Sequence, residues 1–368
     1  MNFDFSDDLN QVRAEARSFL AEHAAGSARR ALESGTGFDR ALWQEMGKLG
    51  WIGAAIPEEY GGSGLGDEGL CVLAEEIGRA VAATPFASSA YLASQAVLRF
   101  GSTEQKARLL PKFADGSLIG CFALGEGAGA PREAFVHAVL RGGKIEGAKH
   151  PVIDGNVADV AVVAVRDGGD VVLALVDLAQ EGVTRAALET LDPSRDAARI
   201  DFAGAAAEIL PGARGFSAVA LLLDRAATLF AFEQIGGAQA CLDMARDYAL
   251  QRQAFGRQIG SFQAIKHKLA DVYIAIELAR SNAYYGAWAL GADAPYLTSA
   301  GAASRVAATR AFELASAENI QTHGGMGFTW DVDCHLFYRR AQQLGLVAGG
   351  AKAWKERLVS QLERRNAA

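Results

Sequence analysis

The chain has 368 residues, half of them apolar and 21% charged, with a formal net charge of −7. That length exceeds one simple core and suits two or three domains. The acidic balance excludes the basic footprint on which nucleic-acid binding depends, and no apolar run reaches the length of a membrane span.

Residues 1–117 read as helical. Leu9, Val12, Ala16, Phe19 and Leu20 recur at three- and four-residue spacing, and Ser6 before two acids is a candidate N-cap. The stretch 56–69, IPEEYGGSGLGDEG, reads as a loop, with helix resuming at Leu70. Residues 85–101, rich in apolar and small side chains, suit a buried helix. From about residue 118 the period changes. Runs at 119–124, 159–166, 171–178 and 198–204 read as strands of a small antiparallel sheet, with turns at 142–144 and 167–170. From 216 to the end helix returns, and 220–252 is long enough for many turns, with Gly236 and Gly237 as an interruption where another backbone packs close. The expected division is therefore 1–117 helical, 118–215 a small β domain and 216–368 a helical bundle. This is an α+β chain of unusual order.

Four cysteines without CxxC spacing argue against a disulfide framework and fit a reducing compartment. The acidic N-terminus, MNFDFSDDLNQ, lacks the pattern of a secretory signal, so a cytoplasmic protein is expected. GxSxG, Walker and strand-following GxGxxG motifs are absent. DVDCH (331–335) has metal-ligand residue types, but a near-contiguous run rarely converges on one ion. A helix N-terminus with Asp331 and Asp333 favouring the dipole is the better reading, and no metal is expected.

Four strings carry more. They are QRQAFGRQIGSFQAIKHKLAD (251–271), QTHGGMGF (321–328) with FYRRAQQL (337–344), and LGWIGAAIPEEYGGSGLG (49–66) near the start. Together they resemble the acyl-CoA dehydrogenase family over nearly the whole chain. The resemblance implies an N-terminal α domain, a small middle β domain, a C-terminal four-helix-bundle-like domain, and FAD bound across a subunit interface. It places Arg252, Phe255, Gln263, Gln321, Gly324 and Gly325 against the cofactor, and Arg225 against an acyl-CoA substrate. A surface arginine and a core phenylalanine are the plain alternative. The resemblance further implies a homo- or hetero-oligomer, with electron transfer flavoprotein as acceptor.

Departures from the family pattern are as informative. Where a flavin loop reading like TEPGAGSD is expected, this chain has GEGAGAPR (125–132), and Pro151 stands where a tryptophan would face the flavin. Where the catalytic glutamate usually lies, the chain reads LVAGGAKAW (346–354), with Ala348 in place of the acid. Some members instead carry the acid just before an arginine on the helix preceding the RQAFG string, and that position here is Asp224. Dehydrogenation of a thioester needs a carboxylate base in a poorly solvated pocket. The first reading is therefore an FAD-dependent acyl-CoA dehydrogenase in which Asp224 removes the α-proton and the β-hydride passes to flavin N5, with helix capping or pairing to Arg225 as the plain alternative for Asp224. The other reading is a non-catalytic subunit of a mixed oligomer that completes a partner chain's FAD site.

Overall fold

The computed structural model describes residues 4–367, and the chain is α–β–α in order. Six helices come first: α1 (Asp7–His23), α2 (Ser27–Ser34), α3 (Arg40–Lys48), α4 (Gly66–Arg79), α5 (Ser94–Phe100) and α6 (Thr103–Ala114). Eight strands follow: β1 (Gly120–Ala123), β2 (Val139–Arg141), β3 (Lys144–Ile153), β4 (Val160–Asp167), β5 (Asp170–Asp177), β6 (Val183–Ala187), β7 (Ala197–Ala206) and β8 (Glu208–Arg214). Then come α7 (Phe216–Gln251), the short hairpin β9 (Gln253–Ala254) and β10 (Arg257–Gln258), α8 (Gln263–Gly291), α9 (Leu297–His323), α10 (Cys334–Leu346) and α11 (Ala351–Ala367). Among the described residues no helix is long and apolar enough to cross a membrane.

Local chemistry sets the helix ends. Ser6 accepts the Leu9 N–H as N-cap of α1, and Ser102 and Gln105 form a reciprocal capping box on α6. Glycine-rich residues 56–65 form the expected loop, but α4 starts at Gly66 rather than Leu70. Asp67 and Glu68 in its first turn favour the helix dipole and pull the start forward. The buried segment after Pro85 is not uniformly α. Ala87–Ala93 is a π-helical turn running into α5.

The sheet corrects the sequence reading. Its order is β6-β7-β3-β2-β4-β5-β8, with β1 pairing β4. The β1–β4 and β2–β4 pairs are parallel, so the sheet is mixed rather than antiparallel. β4 and β5 are buried through almost their whole length, which explains apolar runs without alternation. Strands β2, β3, β6 and β8 fall outside the apolar runs.

The chain divides into two compact units. One comprises Met1–Ala25, Cys71–Ala82 and Ala227–Ala368, and the other comprises Gly26–Leu70 and Ala83–Ala226. In the first, α7 and α4 approach at their glycines. A Cβ on Gly236 would lie 1.8 Å from the Glu75 carbonyl oxygen, and one on Gly78 would lie 1.8 Å from that of Glu233. Gly237 meets the Phe312 ring in the same way, at 2.4 Å. The two glycines of α7 therefore permit close packing, as their sequence position suggested, but they do not interrupt the helix.

Candidate functional site

Asp224 lies in the ninth position of α7, 2% exposed, with Leu222 and Leu223 buried beside it and Leu221 40% exposed. It is neither a cap nor a surface residue. Its neighbour Arg225 is 1% exposed, and its Nη2 donates to Asp67 Oδ2 at 2.5 Å. Arg99 Nη2 approaches the same oxygen at 3.8 Å. A buried guanidinium needs a carboxylate at close range, and α4 supplies it from its first turn. Asp67 escaped the sequence reading because its partner lies 158 residues away; the available signal was an acid opening a helix directly after the glycine loop.

The loop expected to carry a base holds Val347 to Gly350. Arg305 of α9, fully buried, donates to the carbonyls of Leu344 and Val347 and to Gln234 Oε1. Burial brings its pKa down to about 10, so it stays a cation at neutral pH. Arg305 thus fixes the loop that carries Ala348, which stands at φ 58°.

In the first unit the candidate flavin contacts lie at the ends of α7 and α9 and at the start of α8. The Arg252 N–H caps α7 through the Tyr248 carbonyl at 2.8 Å, and the β9–β10 hairpin follows at once. Its two-residue tip is Phe255–Gly256, both at positive φ (53° and 77°). Such tips favour asparagine or glycine, so a phenylalanine there is strained. The Phe255 side chain is 95% exposed. Tyr248 stacks on His323 at 4.2 Å, tying the end of α7 to the end of α9. There Gln321, Gly324 and Gly325 are exposed, and open space surrounds the position a Cβ would take on either glycine. Gln263 opens α8, also exposed.

The second unit holds the GEGAGAPR loop around a small cavity of about 140 Å3, lined by Leu124–Arg132 and Phe135–His137. Glu126 is the one carboxylate in this lining, and it is already engaged. Its carboxylate accepts the His137 N–H at 2.9 Å, the Ala138 N–H at 3.0 Å and Lys149 Nζ at 2.6 Å. Burial pushes this carboxyl up, but Lys149 and the two backbone N–H groups outweigh that and hold it below its ordinary value. Burial lowers the Lys149 ammonium in turn, against Glu126. This pair joins residues 23 apart in the sequence and leaves no local signal there.

The donor sets fit the expected FAD unequally. An arginine fork, a glutamine amide and two unobstructed glycine backbones in the first unit are groups that recognise a pyrophosphate and its nucleoside. The loop in the second unit offers no hydroxyl donor and has its one carboxylate engaged. That half does not fit.

Comparison with known proteins gives the frame. Residues 6–117 match the acyl-CoA dehydrogenase N-terminal domain, and residues 213–361 match the acyl-CoA dehydrogenase C-terminal domain. The acyl-CoA dehydrogenase IpdE2 of Mycobacterium tuberculosis is 32% identical over 358 residues, covering 97% of this chain and 98% of its own. Among solved structures, a single-site variant of the Tcur3481-Tcur3483 steroid ACAD superposes with a TM-score of 0.89 at 30% identity, covering 98% of this chain and 99% of that one. The ChsE4-ChsE5 complex from Mycobacterium tuberculosis superposes with a TM-score of 0.90 at 26% identity, covering 99% of each. The chain belongs to the acyl-CoA dehydrogenase family, whose cofactor is FAD.

Proposed function

We propose that this chain is one subunit of an acyl-CoA dehydrogenase oligomer, and that its first unit completes an FAD site on a neighbouring, related chain. FAD, when bound, supplies the acceptor for the hydride leaving the acyl β-carbon. Arg252 would hold the pyrophosphate, Phe255 would pack beside the cofactor, and Gln321, Gly324 and Gly325 would meet its adenosine end, with Gln263 nearby. The observation that carries this reading is the asymmetry of the two donor sets. The exposed groups of the first unit point outward on a fixed frame, while the loop at 125–132 is internally bonded. Two of the matched solved structures are named as paired chains, which agrees with a mixed assembly. We keep 1–117, 118–215 and 216–368 as the three domains, and electron transfer flavoprotein as the acceptor for the whole assembly.

The burial of Asp224 favours a second reading, in which this chain is itself catalytic. There Asp224 removes the α-proton of an acyl-CoA bound beside Arg225. One experiment separates the two. Under the first reading the purified chain is colourless and gains flavin absorbance only when mixed with a second dehydrogenase-like chain. In that mixture Asp224→Asn leaves the rate of flavin bleaching by acyl-CoA unchanged. A yellow chain bleached by acyl-CoA on its own, with Asp224→Asn slowing it by about 10²-fold or more, would overturn the first reading and establish the second.

A further inference from the structure

The second unit carries a groove of about 680 Å3 that the proposed FAD site does not use. One wall comes from α2, α3 and their connection: Arg30, Ser34, Thr36, Phe38 and Arg40. The other comes from the β3–β4 connection, Asn156–Asp159, together with Arg185 of β6.

Both walls are fixed. Asn156 donates its backbone N–H and its side-chain amide to Asp196, at 2.7 and 2.8 Å. Arg185 Nη1 donates to the carbonyls of Gly155, Asn156 and Ala158 at 3.3, 2.9 and 2.9 Å. Opposite, Arg30 donates to Asp39 at 2.9 Å, and Thr36 Oγ1 donates to the Phe38 carbonyl at 3.0 Å. The walls meet at Gly37, where a Cβ would come 2.7 Å from the Asp196 Cβ. The groove is therefore part of the fold, not a gap between mobile loops.

Its charge is directional. Three arginines against two acids, Asp39 and Asp159, leave one net positive charge among the lining residues. Both acids are turned to structural tasks. Asp39 accepts from Arg30 and from the Leu42 N–H at 3.1 Å, and Asp159 accepts the Ile119 N–H at 2.8 Å. Arg40 has its guanidinium over the Phe38 ring at 5.0 Å, and no hydrogen bond or ion pair of its side chain is found among the described residues. Arg185 bonds its three carbonyls through Nη1, leaving Nη2 and Nε for another acceptor. Arg40 is exposed, and a guanidinium placed over an aromatic ring can still offer its N–H donors to an anion.

The geometry points to a binding site for a small oxyanion, a carboxylate or a phosphate taken by Arg40 and Arg185. Guanidinium edges recognise both oxyanions through paired N–H donors, so the two sources are separated by titration. Pyrophosphate and malonate are titrated calorimetrically at low ionic strength, in an Arg252→Ala background so that the proposed FAD donors do not contribute. At least one should bind with a dissociation constant at or below about 1 mM, and the tighter one names the chemistry. Arg40→Gln in that background should weaken binding about tenfold or more with the thermal midpoint unchanged. Arg185→Gln should weaken it too, and Arg185→Lys should recover only part, because a lysine lacks the fork. Failure of both anions to bind at about 10 mM, or equal binding by the Arg40→Gln protein, overturns the proposal.

Discussion

Asp67 Oδ2 lies 2.5 Å from Arg225 Nη2, and this contact balances the buried charge next to Asp224. Arg225 is 1% exposed, so its charge is held by the chain's own carboxylate rather than by water. Removing one partner of such a pair weakens the compensation of the buried charge, at a cost of about 3 kcal/mol. Asp67→Ala should therefore lower the unfolding free energy by about that much. Asp67→Asn keeps an acceptor and should lower it by about half as much. Urea denaturation at neutral pH reads both. A change under about 0.5 kcal/mol for Asp67→Ala would place the main support of Arg225 elsewhere.

Arg252 is the proposed cationic donor to the FAD pyrophosphate. A charge-assisted hydrogen bond contributes about 1.5–3 kcal/mol. Arg252→Ala should therefore weaken flavin retention by the mixed assembly by one to two orders of magnitude, at about 1.4 kcal/mol per decade. Because the side chain is exposed, thermal stability of the isolated chain should not move. Flavin fluorescence on dilution measures the first quantity and circular dichroism the second. Unchanged retention would assign Arg252 a purely structural role.

Glu126 gives a pH dependence with a definite sign. Its folded carboxyl lies below its ordinary value despite burial, because Lys149 and the His137 and Ala138 N–H groups favour the charged form. A depressed carboxyl contributes stability that is present above the unfolded pKa, about 4.3, and is lost as pH falls through the folded value. The parent chain should therefore lose stability below about pH 4, and Glu126→Gln should lack that component while being less stable at pH 7. Burial depresses Lys149, which stays protonated through this acid window and adds no slope there. Parallel acid-unfolding curves for the two proteins would refute the assignment.

How far the sequence revealed this molecule depended on the range of each signal. Helix-to-strand-to-helix order was legible because it rests on local period, and Ser6 was legible as a cap because its partner, Leu9, is three residues away. Parallel pairing of β1 with β4 was not, since an apolar run at 119–124 says nothing about its neighbour. β3 was hidden by its mostly exposed or half-exposed, glycine- and proline-bearing pattern. Of the candidate site, the string around Arg252 drew attention to Arg252 and Phe255, but the β9–β10 hairpin that carries Phe255 was not legible in it. The internal pairs Asp67–Arg225 and Glu126–Lys149 stayed invisible, because each joins residues remote in sequence.

Phe255 offers the sharpest test of what the hairpin is for. It stands at φ 53° with its side chain 95% exposed, meeting Phe262 only edge-on at 6.2 Å. A phenylalanine held in left-handed backbone costs about 1 kcal/mol, a strain that glycine would not carry. An exposed ring recovers little of that within its own chain. On the proposed function the compensation comes from a neighbouring chain and its flavin. Phe255→Gly should therefore leave the isolated chain as stable as the parent or slightly more so, and weaken both flavin retention and subunit association in the mixed assembly. Thermal melts of the chain alone and sedimentation of the mixture at several concentrations give the two readings. If Phe255→Gly destabilises the isolated chain by more than about 1 kcal/mol while association is untouched, the ring serves its own fold and the hairpin is not a docking element.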